Sequence, residues 1–223
     1  MTGDSIGRTF EHIAARLPSR GEIAADGIIH ALAILAGLIG GGALIVLAAM
    51  NGSAVVIVAV AIYSAGLLLM FSCSFLYNMA RKHRRRDLFR RLDHAGIFVM
   101  IAGTYTPFTL IMLPGALGIT LLAIVWTLAV AGIVIKLFWP LKLERVSTLL
   151  YVGLGWIGIV ALEPLLASDA FVALILLGVG GALYTIGVGF HHWERLPYQN
   201  AIWHGFVVAA AGSHYGAVFN LVI

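Results

Sequence analysis

Seven stretches of the chain are each apolar over about 20 residues, the length a helix needs to cross the hydrocarbon core of a bilayer. They cover residues 28–49, 54–79, 95–113, 115–135, 147–166, 170–190 and 201–223. In lipid no water is available to the backbone, so such spans must close their hydrogen bonds internally as helices. The breaks Met50-Asn51-Gly52-Ser53, Pro114-Gly115 and Ala167-Ser168-Asp169 are long enough only for a reversal of direction. The expected fold is an all-α membrane protein, a seven-transmembrane helix bundle with antiparallel neighbours. Composition agrees, with 11% charged residues in 223 where a soluble domain carries about 25%.

The cations set an orientation. Arg8, Arg16 and Arg20 precede the first span. Arg81, Lys82, Arg84, Arg85, Arg86, Arg90 and Arg91 lie between the second and third, Lys136, Lys142 and Arg145 between the fourth and fifth, and Arg195 between the sixth and seventh. These are all 14 Lys and Arg of the chain. The positive-inside rule then predicts a cytoplasmic N-terminus and an outside C-terminus, as an odd number of spans requires. Residues 1–26 are expected to form a cytoplasmic N-terminal segment, and residues 27–223 a single seven-helix transmembrane domain. Ile6, Phe10, Ile13 and Leu17 share a helical face, so a short interfacial helix, capped by Asp4 or Ser5, is predicted within the first segment.

The net charge of +4 does not imply nucleic acid, because its placement is that of a topology anchor. The 81–91 run is expected to meet anionic lipid headgroups, with membrane lipids as partners and no nucleic acid. The first 26 residues show no apolar core ahead of a cleavage site, so no secretory signal is expected, and the expected location is the plasma (inner) membrane. Cys73 is the one cysteine, which rules out a disulfide framework or a Cys-x-x-Cys site. Many of the 26 glycines fall inside spans, Gly37, Gly41, Gly180 and Gly181 among them, where small residues let helices approach closely.

Polar residues inside spans are costly and mark function by default. Ser74 and Asn78 end the second span, Asp93 and His94 open the third, Asn200 and His204 stand one turn apart at the start of the seventh, and His30 starts the first. On the predicted orientation all lie at the cytoplasmic level. Each also has a structural reading: Asp93 as an interfacial partner of Arg90 and Arg91, Ser74 bonded back to its own helix, the asparagines as helix-end residues. His191 and His192 read as interfacial, His214 as structural, and Glu163 as reaching water on the far side. Together the cluster resembles a zinc tripod, for which histidines at i and i+4 plus a third from another helix are suitable. Position 200 stands four before His204 but is Asn, and an amide oxygen is a poor companion to imidazole on zinc. The spacing is that of a metal site with too few ligands.

The motif Asp93-His94-Ala95-Gly96-Ile97-Phe98, then Ile101-Ala102-Gly103-Thr104-Tyr105-Thr106-Pro107-Phe108, resembles the bacterial hemolysin III branch of the progestin and adipoQ receptor superfamily. Arg145-Val146-Ser147-Thr148-Leu149-Leu150-Tyr151, Tyr184-Thr185-Ile186-Gly187, and Arg195-Leu196-Pro197-Tyr198 leading to Ala201-Ile202-Trp203-His204 extend the likeness over nearly the whole chain. Glu22-Ile23-Ala24-Ala25-Asp26 with His30 resembles the family's opening, with Asp26 where Asn is usual.

The resemblance implies a zinc ion near the cytoplasmic end of the bundle. Its ligands would come from a Ser-x-x-x-His motif on the second span and a His-x-x-x-His motif on the seventh, with an aspartate on the third holding the metal-bound water. Ser74 and Asp93 match the catalytic positions and His204 matches one ligand, while the other two ligand positions are Asn78 and Asn200. No cofactor is therefore expected to be held firmly, and zinc is expected to be weak or absent, since each ligand and its support contribute tenfold or more. Whether the chain is an enzyme stays open. The expectation is a hemolysin III-like membrane protein with a degenerate zinc-hydrolase-type site, serving membrane lipid homeostasis or sensing. The alternative is an active zinc-dependent intramembrane hydrolase of lipid amides, with His191, His192 or His94 rebuilding the site. A metal-free network of Asn78, Asn200, Asp93 and His204 is a third possibility. A retinal pigment is excluded because the seventh span has no lysine. The lack of charges mid-span and of repeated halves argues against a channel or transporter.

Overall fold

The first helix starts well before the apolar run. In the computed structural model, which describes residues 18–81, 83–113, 115–138, 144–166 and 171–223, α1 spans Arg20–Asn51. Ser19 Oγ accepts from Glu22 N at 3.2 Å and Glu22 Oε2 accepts from Ser19 N at 2.6 Å, a reciprocal capping box that fixes the helix start. Two turns that the sequence reading assigned to the N-terminal segment thus belong to the helix. Its 32 residues rise about 48 Å, more than the roughly 30 Å of hydrocarbon, so α1 projects beyond the membrane core. The interfacial helix expected through Ile6 and Leu17 lies outside the described residues.

Gly52 ends α1 with an N–H bond to Ala48 O at 2.8 Å. Then follow α2 (Ala54–Met79) and α3 (Arg86–Pro107), which continues as a π-helical stretch Phe108–Met112. Pro107 cannot donate an N–H, and the ladder widens directly after it. Gly115 turns the chain at φ 91° into α4 (Ala116–Phe138). The N-terminal turns of α3 contain Arg86, Arg90 and Arg91, so part of the cationic run is helical rather than a loop. Arg91 reaches across to the Leu137 carbonyl at the end of α4, 2.7 Å away.

The fifth apolar run departs from the expected pattern of seven uniform spans. It forms α5 (Glu144–Trp156), a 3-10 stretch Ile157–Ala161 and a short helix Leu162–Leu166. Tyr105 on α3 holds this break: its hydroxyl donates to Gly155 O and accepts from Gly158 N, both at 2.7 Å. A side chain thus satisfies backbone groups that leave the helical ladder. The whole segment still rises on the order of 35 Å. α6 (Phe171–His191) and α7 (Gln199–Val222) complete the bundle. Six helices, α1 to α4, α6 and α7, are long and apolar enough to cross a membrane, and a shorter apolar helix covers Ser147–Ala161. Among the described residues there is no strand.

The outside of the bundle is oily, with Ile39 67% and Leu149 71% exposed, as expected of surfaces facing lipid rather than water. Inside, Leu44, Val60, Tyr63 and Val218 form one core across α1, α2 and α7, and Phe98, Leu121, Val125 and Leu154 form a second across α3, α4 and α5. A close approach of α2 and α3 positions the site. A Cβ on Gly96 of α3 would meet Met70 Cα of α2 at 3.3 Å, and one on Gly103 would meet Ile62 O at 3.4 Å. With backbones this close, Ser74 and Asp93 must face each other one turn away.

Candidate functional site

Glu22 joins the two helices that frame the site. Its Oε1 accepts from the backbone N of Tyr198 at 2.7 Å, where Tyr198 precedes α7 in the left-handed conformation, φ 58°. One turn further along α1 is Asp26, and its carboxylate Oδ1 lies 2.5 Å from Nδ1 of His204 on α7. Next on the same face of α1 is His30, whose Nδ1 lies 2.8 Å from the Asp26 carbonyl oxygen. A carbonyl only accepts, so Nδ1 carries the proton and Nε2 carries the lone pair. Asp26 and His30 are each 1% exposed. The two imidazoles meet edge to face with centroids 4.3 Å apart.

The other edge of His204 faces α2 and α3. Its Nε2 is 3.4 Å from Ser74 Oγ. Asn78 donates from Nδ2 to Ser74 O at 3.0 Å and to Ser74 Oγ at 3.4 Å, and Asp93 lines a cavity beside them. Asp93 is close enough to feel both His204 and Asp26 electrostatically. Of the residues that the sequence places at one level, Ser74, Asn78 and His204 are linked by hydrogen bonds, with Asp93 beside them. Asn200 lines the same cavity.

That cavity holds about 490 Å³, within the roughly 300–1,000 Å³ of ligand pockets. One end carries the polar group just described, the walls include Ile97, Tyr105, Tyr151, Val152, Trp156 and Val207, and Arg81 and Arg86 also line it. His94, His191 and His214 line it as well. His94 accepts from Tyr151 through its backbone oxygen at 3.1 Å, His191 packs on His192 and Trp203, and His214 packs on Tyr184. His192 and Glu163 are exposed.

The residues at the implied zinc positions do not fit that ion. A zinc tripod there needs three imidazoles, and these positions offer His204 and two amides, one of them committed through Nδ2 to Ser74. A different donor group is present. Among the described residues, Asp26, His30 and His204 can each present one ligand atom, all within 4.8 Å of one another. Sequence reasoning placed His30 at the right level but left Asp26 in the N-terminal segment and sought extra ligands at His94, His191 and His192. The capping pattern Ser19-x-x-Glu22 was the available signal: it starts the helix early enough to put Asp26 and His30 four apart on one face.

A family model described as Haemolysin-III related matches residues 24–215. The chain is 40% identical over 194 residues to the Hemolysin-3 homolog of Bacillus subtilis (strain 168), covering 87% of this chain and 91% of that one. It is 42% identical over 165 residues to Hemolysin-3 of Bacillus cereus, covering 74% and 75%. The human Monocyte to macrophage differentiation factor is 26% identical over 209 residues, 91% of this chain and 85% of its own. No solved structure matches.

Proposed function

The chain belongs to the haemolysin-III-related family, within the progestin and adipoQ receptor superfamily, and is a multi-pass integral membrane protein; on that premise we propose that it binds a membrane amphiphile in its interior cavity and serves lipid sensing or homeostasis, with the family's three-histidine zinc positions degenerate. One observation carries this reading. The 490 Å³ cavity joins a polar end, built by Ser74, Asn78, Asp93 and His204, to walls rich in aromatic and aliphatic side chains. Such a chamber suits a molecule with a hydrogen-bonding head and an apolar tail. Arg81 and Arg86 beside it favour an anionic head, and seven spans with a cytoplasmic N-terminus would put this end at the inner leaflet. Ser74 would hold the head by a hydrogen bond, and His204 would orient it.

The test is lipid retention. Detergent-purified protein should carry a defined lipid or fatty acid, read by mass spectrometry of extracts. Val152→Trp, which fills the apolar wall, should lower its amount severalfold while helicity and elution volume stay unchanged. Equal retention in parent and variant, or a folded parent that retains nothing, would contradict the reading. A second reading, metal-dependent hydrolysis of a lipid amide, has its support in the Asp26, His30 and His204 group.

A further inference from the structure

We propose that Asp26, His30 and His204 form a binding site for a divalent transition-metal cation of the zinc or iron(II) class, set against α1 rather than at the positions occupied by Asn78 and Asn200. This goes beyond the lipid reading, which stands or falls separately on lipid retention.

Three observations support it. First, the donors converge: one ligand atom from each residue lies within 4.8 Å of the others, and all three residues are buried. Two imidazoles and a carboxylate are a recurrent set for zinc and for iron(II) with open positions. Second, two of the donor atoms are buried without a hydrogen-bond partner, namely Asp26 Oδ2 and His30 Nε2. Because His30 Nδ1 donates its proton to the Asp26 carbonyl, Nε2 is a bare lone pair. Buried acceptors left unpaired are costly, and two beside each other call for an electrophile. Third, the surroundings orient the donors as the partners of metal-binding histidines do. The Asp26 carbonyl fixes the His30 ring at 2.8 Å, and Ser74 Oγ lies 3.4 Å from His204 Nε2.

The chemistry of His204 then follows. In the tautomer with Nε2–H directed to Ser74, its Nδ1 lone pair faces the Asp26 carboxylate, and only a proton or a cation can sit between two such acceptors. Among the described residues, the Asp26 carboxylate meets two imidazoles, His204 at 2.5 Å and His30 at 3.7 Å. Both are neutral when they ligate, and Asp93 adds a second carboxylate nearby. A divalent cation offsets that buried negative charge. Bonds of about 2.0–2.2 Å place neighbouring donors roughly 3 Å apart, so loading opens the Asp26–His204 contact by less than about 1 Å.

The experiment is cation uptake by the full chain in detergent. Parent, Asp26→Asn, His30→Gln and Asn200→Ala proteins are stripped with chelator, then titrated separately with zinc(II), cobalt(II) and anaerobic iron(II). Elution volume and helical circular dichroism check folding. The expected result is about one cation per parent chain, with visible cobalt bands of nitrogen and oxygen ligation. Affinity should fall at least tenfold in Asp26→Asn and His30→Gln and stay within about twofold in Asn200→Ala. A folded parent that takes up none of the three cations overturns the proposal, as does uptake unchanged in both ligand variants. Should those variants fail to fold, histidine acylation of the parent decides. Protection of His30 by zinc supports the site, and equal labelling with and without zinc overturns it. Which metal binds more tightly separates zinc from iron(II).

Discussion

The two ring nitrogens of His204 face two differently built walls. On the Nδ1 side, α1 presents a carboxylate at 2.5 Å and a second imidazole edge to face at 4.3 Å, with unpaired lone pairs on both of the α1 side chains. On the Nε2 side, α2 presents a hydroxyl at 3.4 Å and an amide that bonds back to it, and the Asp93 carboxyl of α3 lines the cavity beside them. The first wall leaves two buried acceptors without donors, whereas the hydroxyl and amide of the second wall bond to each other. A buried site in which one wall is self-satisfied and the other is not concentrates its chemistry on the unsatisfied wall. In this chain that wall belongs to α1, whereas the motif spacing on α2 and α7 alone would place it on the other.

Substitutions can break that contrast, and the largest effect is expected at Asp26. Asp26→Ala removes the carboxylate bonded to His204 and strands that buried imidazole, which should cost about 3–5 kcal/mol, read as a fall in thermal midpoint of the detergent-solubilised protein. Gly96→Leu attacks the other wall through packing. Its new side chain begins 3.3 Å from Met70 Cα, so α3 must move from α2, at about 1–3 kcal/mol. The Ser74–Asp93 contact should open with it, detectable by cysteine cross-linking across the two helices. Asn78→His with Asn200→His converts the quiet wall into a metal site, and zinc affinity should rise at least tenfold, about 1.4 kcal/mol, by calorimetric titration. Ser74→Ala is the smallest: one hydroxyl lost from its bond with the Asn78 amide, costing about 1 kcal/mol. A penalty for Ser74→Ala equal to that of Asp26→Ala would erase the difference between the walls.

Much of this was legible in the sequence, for identifiable reasons. Apolar runs and breaks such as Gly52 and Gly115 located the helices because lipid leaves the backbone no other choice. The level shared by Ser74, Asn78, Asp93 and His204 followed from where the cations lie along the chain. What escaped depended on contacts distant in sequence. The α5 break needs the Tyr105 hydroxyl, 50 residues from Gly155, and no local propensity around Gly155 and Gly158 reports that partner. Asp26 escaped because apolarity alone began the first helix at Ile28. Polar turns continue a helix beyond the hydrocarbon when a capping box and a tie such as Glu22 to Tyr198 hold them.

The most direct test of α1 as the organising wall is a double-mutant cycle on stability between Asp26→Asn and His204→Gln, run beside one between Asn200→Ala and His204→Gln. The first pair should couple by about 1–3 kcal/mol, as residues in one buried network do, and the second should be additive within about 0.5 kcal/mol. Additivity for Asp26 and His204 together with strong coupling for Asn200 and His204 would contradict the account and return the site to α2 and α7.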